Sequence, residues 1–346
     1  MFTAYTEFQK LKTVMIGRTY DSSAVDLFDD KIMSESSKRL LKQLLDETEE
    51  DYQNLVKVCE DFGTKVIRPE YSQINDQPGY AALSAHPSLM NPRDHLFALE
   101  EKLIVGFFCD NHIAADFCRP LAKYKSQFVK NNTLHGFCPP SCIRLGDTII
   151  LDRQSHMTSN TTEVYDYFKN WLEPLGYKII YTPYHNFKFA DGRSHADSCL
   201  AVLKPGVLLT INESKSYTEE IFEGWDGHTV QEKPRQIQGW QKARAKYSDW
   251  FFEDKDYHDE IFNHMINDWF VNWVGKASET VFDVNVLSLD ENHVVVSNYN
   301  KGVFDYLKKH KIEPIISPWR HRFFWDGGIH CITLDLEREG GRESYL

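Results

Sequence analysis

Three short stretches of the chain hold side chains suited to work on a cationic, carbon-centred electrophile. The first is Gly327-Gly328-Ile-His330-Cys331-Ile-Thr-Leu-Asp335, where a cysteine follows two glycines at the start of a strand-like run. Glycine lets a backbone approach a ligand closely, and a thiolate is a strong nucleophile. The plain alternative is a cysteine buried in a strand. The second is His195-Ala-Asp197. On a strand the two side chains would share one face, with the imidazole as acid and base and the carboxylate as a binding partner. Histidine and aspartate also ligate metals, but no second histidine–carboxylate cluster completes such a site, and Cys138-x-x-x-Cys142 lacks zinc spacing and a matching pair. No metal is expected. The third is Met90-Asn-Pro-Arg93-Asp94-His95, a proline bend that would present Asp94 at the end of a structural unit, or else a turn with a solvated ion pair.

The elements that must position these groups recur. Leu99-Glu-Glu-Lys leads into Leu103-Ile-Val, Leu145-Gly-Asp into Thr148-Ile-Ile-Leu, Leu203-Lys-Pro-Gly into Val207-Leu-Leu, and Leu289-Asp-Glu-Asn into His293-Val-Val-Val. Apolar runs parted by short polar turns predict β-hairpins. Val14-Met-Ile is a fifth strand candidate. Helical stretches run from Ser37 to Phe62, Glu163 to Leu175 and Gly302 to His310, the first two stopped by Gly63 and Gly176. Each leads to a short strand and a proline. The repeating unit is therefore hairpin, helix, strand, in about five copies, which suggests a closed radial array. In such an array Asp94, His195, Asp197 and Cys331 would converge on one central pocket. From about 219 to 276 the chain departs from the repeat. Trp225, Trp240, Trp250, Trp269 and Trp273 mark it as a helical insertion, packed on the core or forming a lid.

The formal charge of −12 and the lack of a basic cluster argue against a nucleic-acid partner. An acidic surface concentrates cations. No apolar run would span a bilayer, and the N-terminus lacks the features of a signal peptide. Seven cysteines without a framework spacing predict reduced thiols and a cytoplasmic setting.

Taken together, the motifs resemble those of amidinotransferases of the arginine:glycine type, within the superfamily of guanidino-group-modifying enzymes. Leu11-Lys-Thr-Val-Met-Ile-Gly-Arg18 resembles the opening strand, and Pro92-Arg93-Asp94 the first acidic motif. His195-Ala-Asp197 with Pro205-Gly206, then Gly327 to Asp335 with Arg338-x-Gly340, resemble the His-x-Asp and nucleophile segments, and Glu343-Ser-Tyr-Leu the ending. The resemblance runs along nearly the whole chain. It implies a single α/β domain over 1–346, a five-bladed α/β propeller with pseudo-fivefold symmetry, and no cofactor. It further implies that Cys331 attacks the guanidino carbon and His195 shuttles the proton. Asp94 and Asp197 would hold the guanidinium, with Arg93 and Lys215 as further substrate-binding residues. The implied reaction moves an amidino group from arginine, or a related donor, to an amine through an amidino-cysteine. The alternative is a deiminase-like hydrolase with water as acceptor, and the implied assembly is a homodimer. Two departures stand out. Cys138 occupies the place of the carboxylate expected to orient the histidine, which leaves Asp147 as a candidate for that role. No arginine lies near Ser214-Lys215 to grip the donor's carboxylate.

Overall fold

The computed structural model describes residues 2–27, 35–71, 89–106, 116–129, 137–152, 161–182, 195–230, 282–325 and 327–346. Most of the Trp-rich stretch, including Trp240, Trp250, Trp269 and Trp273, lies outside the described residues.

Each hairpin foreseen from its turn forms. β3 (Leu96–Leu99) pairs with β4 (Lys102–Val105), β6 (Cys142–Leu145) with β7 (Thr148–Leu151), β9 (Leu200–Lys204) with β10 (Val207–Thr210), and β12 (Leu287–Asp290) with β13 (His293–Val296), all antiparallel. Gly146 and Gly206 take φ of 65° and 79° at two of these turns, a region that costs side-chain-bearing residues energy. A third strand then adds parallel to the second: β5 (Phe128–Val129), β8 (Lys178–Tyr181), β11 (Asp226–Thr229) and β14 (Glu313–Ile316). The fifth sheet joins the two ends of the chain, with β1 (Leu11–Ile16) between β15 (Thr333–Arg338), antiparallel, and β2 (Lys65–Ile67), parallel. The described residues thus form five three-stranded sheets.

Helices carry four of the crossovers. α1 (Glu35–Asp61) buries Leu41, Leu44, Leu45, Tyr52, Leu55 and Cys59, the three- and four-residue spacing of one helical face. It stops before Gly63, at φ 86°. α3 (Thr161–Leu172) buries Val164, Phe168 and Leu172, and α4 (Lys215–Ile221) is short. α5 (Lys301–Lys309) starts at Asn300, whose side-chain oxygen accepts from the amides of Gly302 and Val303 at 3.0 and 3.4 Å. That cap contributes about 1 kcal/mol.

The sheets are joined by apolar clusters, each shared by two of them. Alternate side chains of a strand point to opposite faces. On β3, Phe97 and Leu99 therefore pack with β6 and β7, while Leu96 and Ala98 pack with β1 and β15. On β6, Ile143 and Leu145 meet β9 and β10. β9 and β10 in turn meet β13, and β12 and β13 meet β1. The stretch that begins the expected insertion at 219 instead completes α4 and supplies β11 as the third strand of a sheet. Main-chain pairing to β10 explains the difference: Asp226-Gly-His-Thr has little apolar pattern of its own. No helix among the described residues is long and apolar enough to cross a membrane.

Candidate active site

Cys331 sits on the turn before β15, and its side chain is 1% exposed. The turn is fastened on several sides. The Ile332 amide donates to the Gly328 carbonyl at 3.2 Å, and the Gly17 amide donates to the Ile332 carbonyl at 2.9 Å. A methyl group at Gly328 would lie 2.5 Å from Oδ1 of Asn285, so only glycine fits. The expected close approach at this double glycine is thus made to a side chain of the protein.

His195 and Asp197 do not lie on a strand. A 3₁₀ turn, Ala196–Ser198, precedes β9, with His195 as its N-cap residue. The Ser198 hydroxyl and amide both donate to the His195 carbonyl, at 2.6 and 3.1 Å, and this local bonding overrides an extended course. The turn buries Asp197 beside the thiol. Its Oδ2 lies 3.4 Å from Sγ of Cys331 and 2.8 Å from Nδ1 of His330.

Asp94 lies on α2 (Pro92–His95), a single turn begun by Pro92 after Asn91. Asn91 Nδ2 donates to Asp94 Oδ2 at 3.4 Å, and Asp94 Oδ1 stands 3.8 Å from Nδ1 of His195. Asp147, by contrast, caps the β6–β7 turn, accepts from Thr148 at 2.9 Å and faces Lys178. It does not take the orienting role considered for it. Asp94 is the carboxylate that faces His195. The structure therefore brings Asp94, His195, Asp197 and Cys331 together.

Arg93 and Lys215 are placed elsewhere. Arg93 is 4% exposed and points inward. Its Nε donates to the carbonyls of His330 and Thr333, each at 3.0 Å, and its guanidinium pairs with Asp335. It ties α2 to the turn that carries Cys331, and its donors face protein rather than a substrate. Lys215 is exposed at the start of α4 and pairs with Glu219 at 3.7 Å.

Beneath the thiol lies a buried ion-pair cluster absent from the sequence reading. Arg144 is 1% exposed and grips both oxygens of Glu7 at 2.9 Å, and Asp335 as well. Arg338 Nε donates to Asp335 at 2.9 Å. His330 links the cluster to the site, with Nε2 at 3.5 Å from Glu7 and Nδ1 on Asp197. Ligand atoms of Glu7, His330 and Asp335 lie within 4.8 Å of one another, but three guanidinium groups already compensate the two carboxylates and would repel a cation. Glu7, Asp197 and His330 also line a small cavity, with Leu200, Val202 and Val286 among its apolar walls.

The two site carboxylates are tuned apart. Burial pushes the Asp94 carboxyl up to about 6, with nearby Asp197 adding to the effect and His195 opposing it. Burial also raises Asp197, but the hydrogen bond and charge of His330 outweigh it and leave this carboxyl below its usual range. Oδ1 of Asp94, Oδ1 of Asp197 and Oδ1 of Asn91 are all buried with no hydrogen-bond partner among the described residues. Burying such acceptors unmatched costs on the order of 1–3 kcal/mol each.

No family model matches the chain. Over 207 residues, 59% of this chain, it is 31% identical to an L-arginine:L-lysine amidinotransferase of Pseudomonas savastanoi pv. phaseolicola. The match spans 44% of that relative, so the chain covers less than half of its length. An amidinotransferase from Microseira wollei in the saxitoxin biosynthetic pathway has the same fold, with a TM-score of 0.66 over 99% of both chains and 18% identity. A dimethylarginine dimethylaminohydrolase from Pseudomonas aeruginosa shares it more loosely, with a TM-score of 0.56 over 94% of this chain and 99% of that one, at 11% identity. The resemblance to amidinotransferases read from the motifs thus holds at the level of sequence and fold.

Proposed function

We propose that this chain is an amidinotransferase that moves an amidino group from arginine, or a related guanidino donor, to an amine through a covalent amidino-cysteine on Cys331. One observation carries the reading. Acceptor oxygens on Asp94, Asp197 and Asn91 are buried around a buried thiol with no donor among the described residues. A guanidinium is a planar cation with N–H groups on every nitrogen, and it would satisfy such acceptors in one plane. The sulfur would then attack its central carbon from above that plane.

In the first half-reaction the C–S bond forms and the bond from carbon to the donor's amine nitrogen breaks, with His195 giving that nitrogen its proton. In the second, the acceptor amine attacks the same carbon, His195 takes its proton, and the C–S bond breaks to restore the thiolate. Asp94, 3.8 Å from His195, favours the imidazolium between the two steps. Asp197 beside Sγ opposes the thiolate in part, and a donor cation seated between them removes that opposition. Arg93 acts as a brace between the Asp94 and Cys331 segments. The interleaved apolar clusters support five sheets set as the blades of one pseudo-fivefold propeller over 1–346, with the site at its axis. The partners in this reading are the donor, the amine and a second copy of the chain, in a reducing cytoplasm that suits the free thiols.

Product analysis tests the reaction class. Incubation with arginine and a panel of primary amines should yield ornithine and an amidinated amine. Citrulline formed at the same rate with or without amines would replace the transferase by the hydrolase. Asp94 yields a further expectation. Its folded-state carboxyl, at about 6, lies above the ordinary 3.8. The native state therefore holds more protons than the unfolded state between these values, and stability falls as pH rises through that window. Above pH 6, Asp94→Asn should gain about 1–2 kcal/mol of stability while losing most of its donor affinity. In the unaltered chain, donor affinity should decline as pH drops below 6. Thermal melts and calorimetric titration with arginine check both, and unchanged affinity in the variant would remove Asp94 from the site.

A further inference from the structure

We infer that Asn285 is a further catalytic residue, whose side-chain N–H donates to the sulfur of Cys331 and stabilises its thiolate. This rests on the reading of Cys331 as nucleophile, and the observations that assign it are independent of any substrate. Asn285 follows the 3₁₀ turn Phe282–Val284 and precedes β12, and it is 1% exposed. Its four hydrogen-bonding positions are filled. Oδ1 accepts from the amides of His330 and Cys331, at 2.8 and 3.2 Å. Nδ2 lies 3.1 Å from the Asp197 carbonyl and 3.0 Å from Sγ.

The orientation of the amide follows from chemistry. A backbone N–H can only donate, so the atom facing His330 and Cys331 must be the oxygen. A carbonyl can only accept, so the atom facing Asp197 must be the nitrogen. The second N–H of that nitrogen is then directed at Sγ. The thiol can donate its own proton to Asp197 Oδ2 at 3.4 Å while accepting from Asn285. When the proton leaves, the Asp197 contact becomes repulsive and the Asn285 contact becomes charge-assisted and stronger. Asparagine carries no charge at any working pH, so this donor is present throughout. A carboxylate here would accept the two amides equally well but would repel the sulfur. The fit admits little change of size, because Gly328 is packed against Oδ1 and Cβ of Asn285 at 2.5 and 2.6 Å from the position of a methyl group.

The test is the pH dependence of Cys331 alkylation by iodoacetamide, read by peptide mass spectrometry in the unaltered chain, Asn285→Asp and Asn285→Ala. Burial holds Cys59 and Cys118 up at about 12 and Cys142 well above the ordinary thiol range, so these thiols give a slow internal reference. In the unaltered chain Cys331 should label first. At neutral pH the rate should fall at least tenfold in Asn285→Asp and about three- to tenfold in Asn285→Ala, with the midpoint moved to higher pH. A role confined to holding the turn would lower the melting temperature and leave the midpoint in place, and that result in either folded variant overturns the assignment. If neither variant folds, the side-chain amide resonance of Asn285 in the unaltered chain decides. It should shift with the midpoint of Cys331 labelling, and an amide that does not respond overturns the assignment. Slow labelling of Cys331 in the unaltered chain would instead remove the nucleophile reading, and this assignment with it.

Discussion

Arg144→Met is expected to cost the fold about 3–5 kcal/mol, because it leaves two buried carboxylates without their main counterion. Methionine fills most of the volume, so the loss is one of charge and hydrogen bonds rather than of packing. Arg144 contacts both oxygens of Glu7, the Asp335 carboxylate, the Ala98 carbonyl at 3.3 Å and the face of Phe97. Burial alone would raise Glu7 and Asp335. The charge of Arg144 overcomes it, and both carboxyls are held below their usual range. Their folded values thus lie below the unfolded ones. The stability they contribute is present above the ordinary carboxylate values, 4.5 and 3.8, and is lost as pH falls below them. Two results are expected: a large loss in urea unfolding at pH 7, and acid unfolding that begins at higher pH. A loss under 1 kcal/mol would mean that the cluster is solvated and is not what joins β6, β15 and the N-terminal segment.

Asp197→Asn is expected to lower kcat/KM for the donor by roughly a hundred- to a thousandfold, or about 3–4 kcal/mol. The carboxylate holds three positions at once: Oδ2 on His330, Oδ2 near Sγ, and Oδ1 buried with no partner among the described residues. An amide can keep the bond to His330 through its oxygen, which turns the N–H₂ group to the open position. That position then presents a donor to a cation that is itself all donor. The fold should survive, since asparagine matches aspartate in size and no partner is orphaned. An unchanged KM with full turnover would take Asp197 out of the donor site. A fall in stability with intact activity would make its bond to His330 structural only.

These expectations rest partly on residues whose roles were not visible in the sequence. The amphipathic helices and the hairpins were legible because their signals are local. Leucine and valine at helical spacing before Gly63 and Gly176 mark α1 and α3, and polar turns part the strands. The pairing of β1 with β15 was not legible, because the partners lie at opposite ends of the chain. Thr13, for example, bonds to Glu337. β5 has only two residues and no pattern to detect. Within the site, Cys331, His195 and Asp197 stood out through motif and resemblance. Asn285 did not, since one asparagine in a valine-rich run reads as a turn residue. Glu7 and Arg144 look like ordinary surface charges until the fold buries them against Asp335. One signal was available for Asn285: a double glycine must make room for something, and at Gly328 that something is its side chain. Asp147 was considered for the histidine because it is close in sequence to Cys138. Position in the fold decides otherwise, since Asp147 lies at the hairpin turn and Asp94 faces His195.

On the proposed mechanism, Cys331 carries the amidino group between donor and acceptor. Intact-protein mass spectrometry after mixing with arginine in the absence of an amine tests it most directly. A mass gain of one amidino group is expected, absent in Cys331→Ala and discharged when an acceptor amine is added. An adduct that persists in Cys331→Ala, or arginine consumed at full rate by that variant, would contradict it.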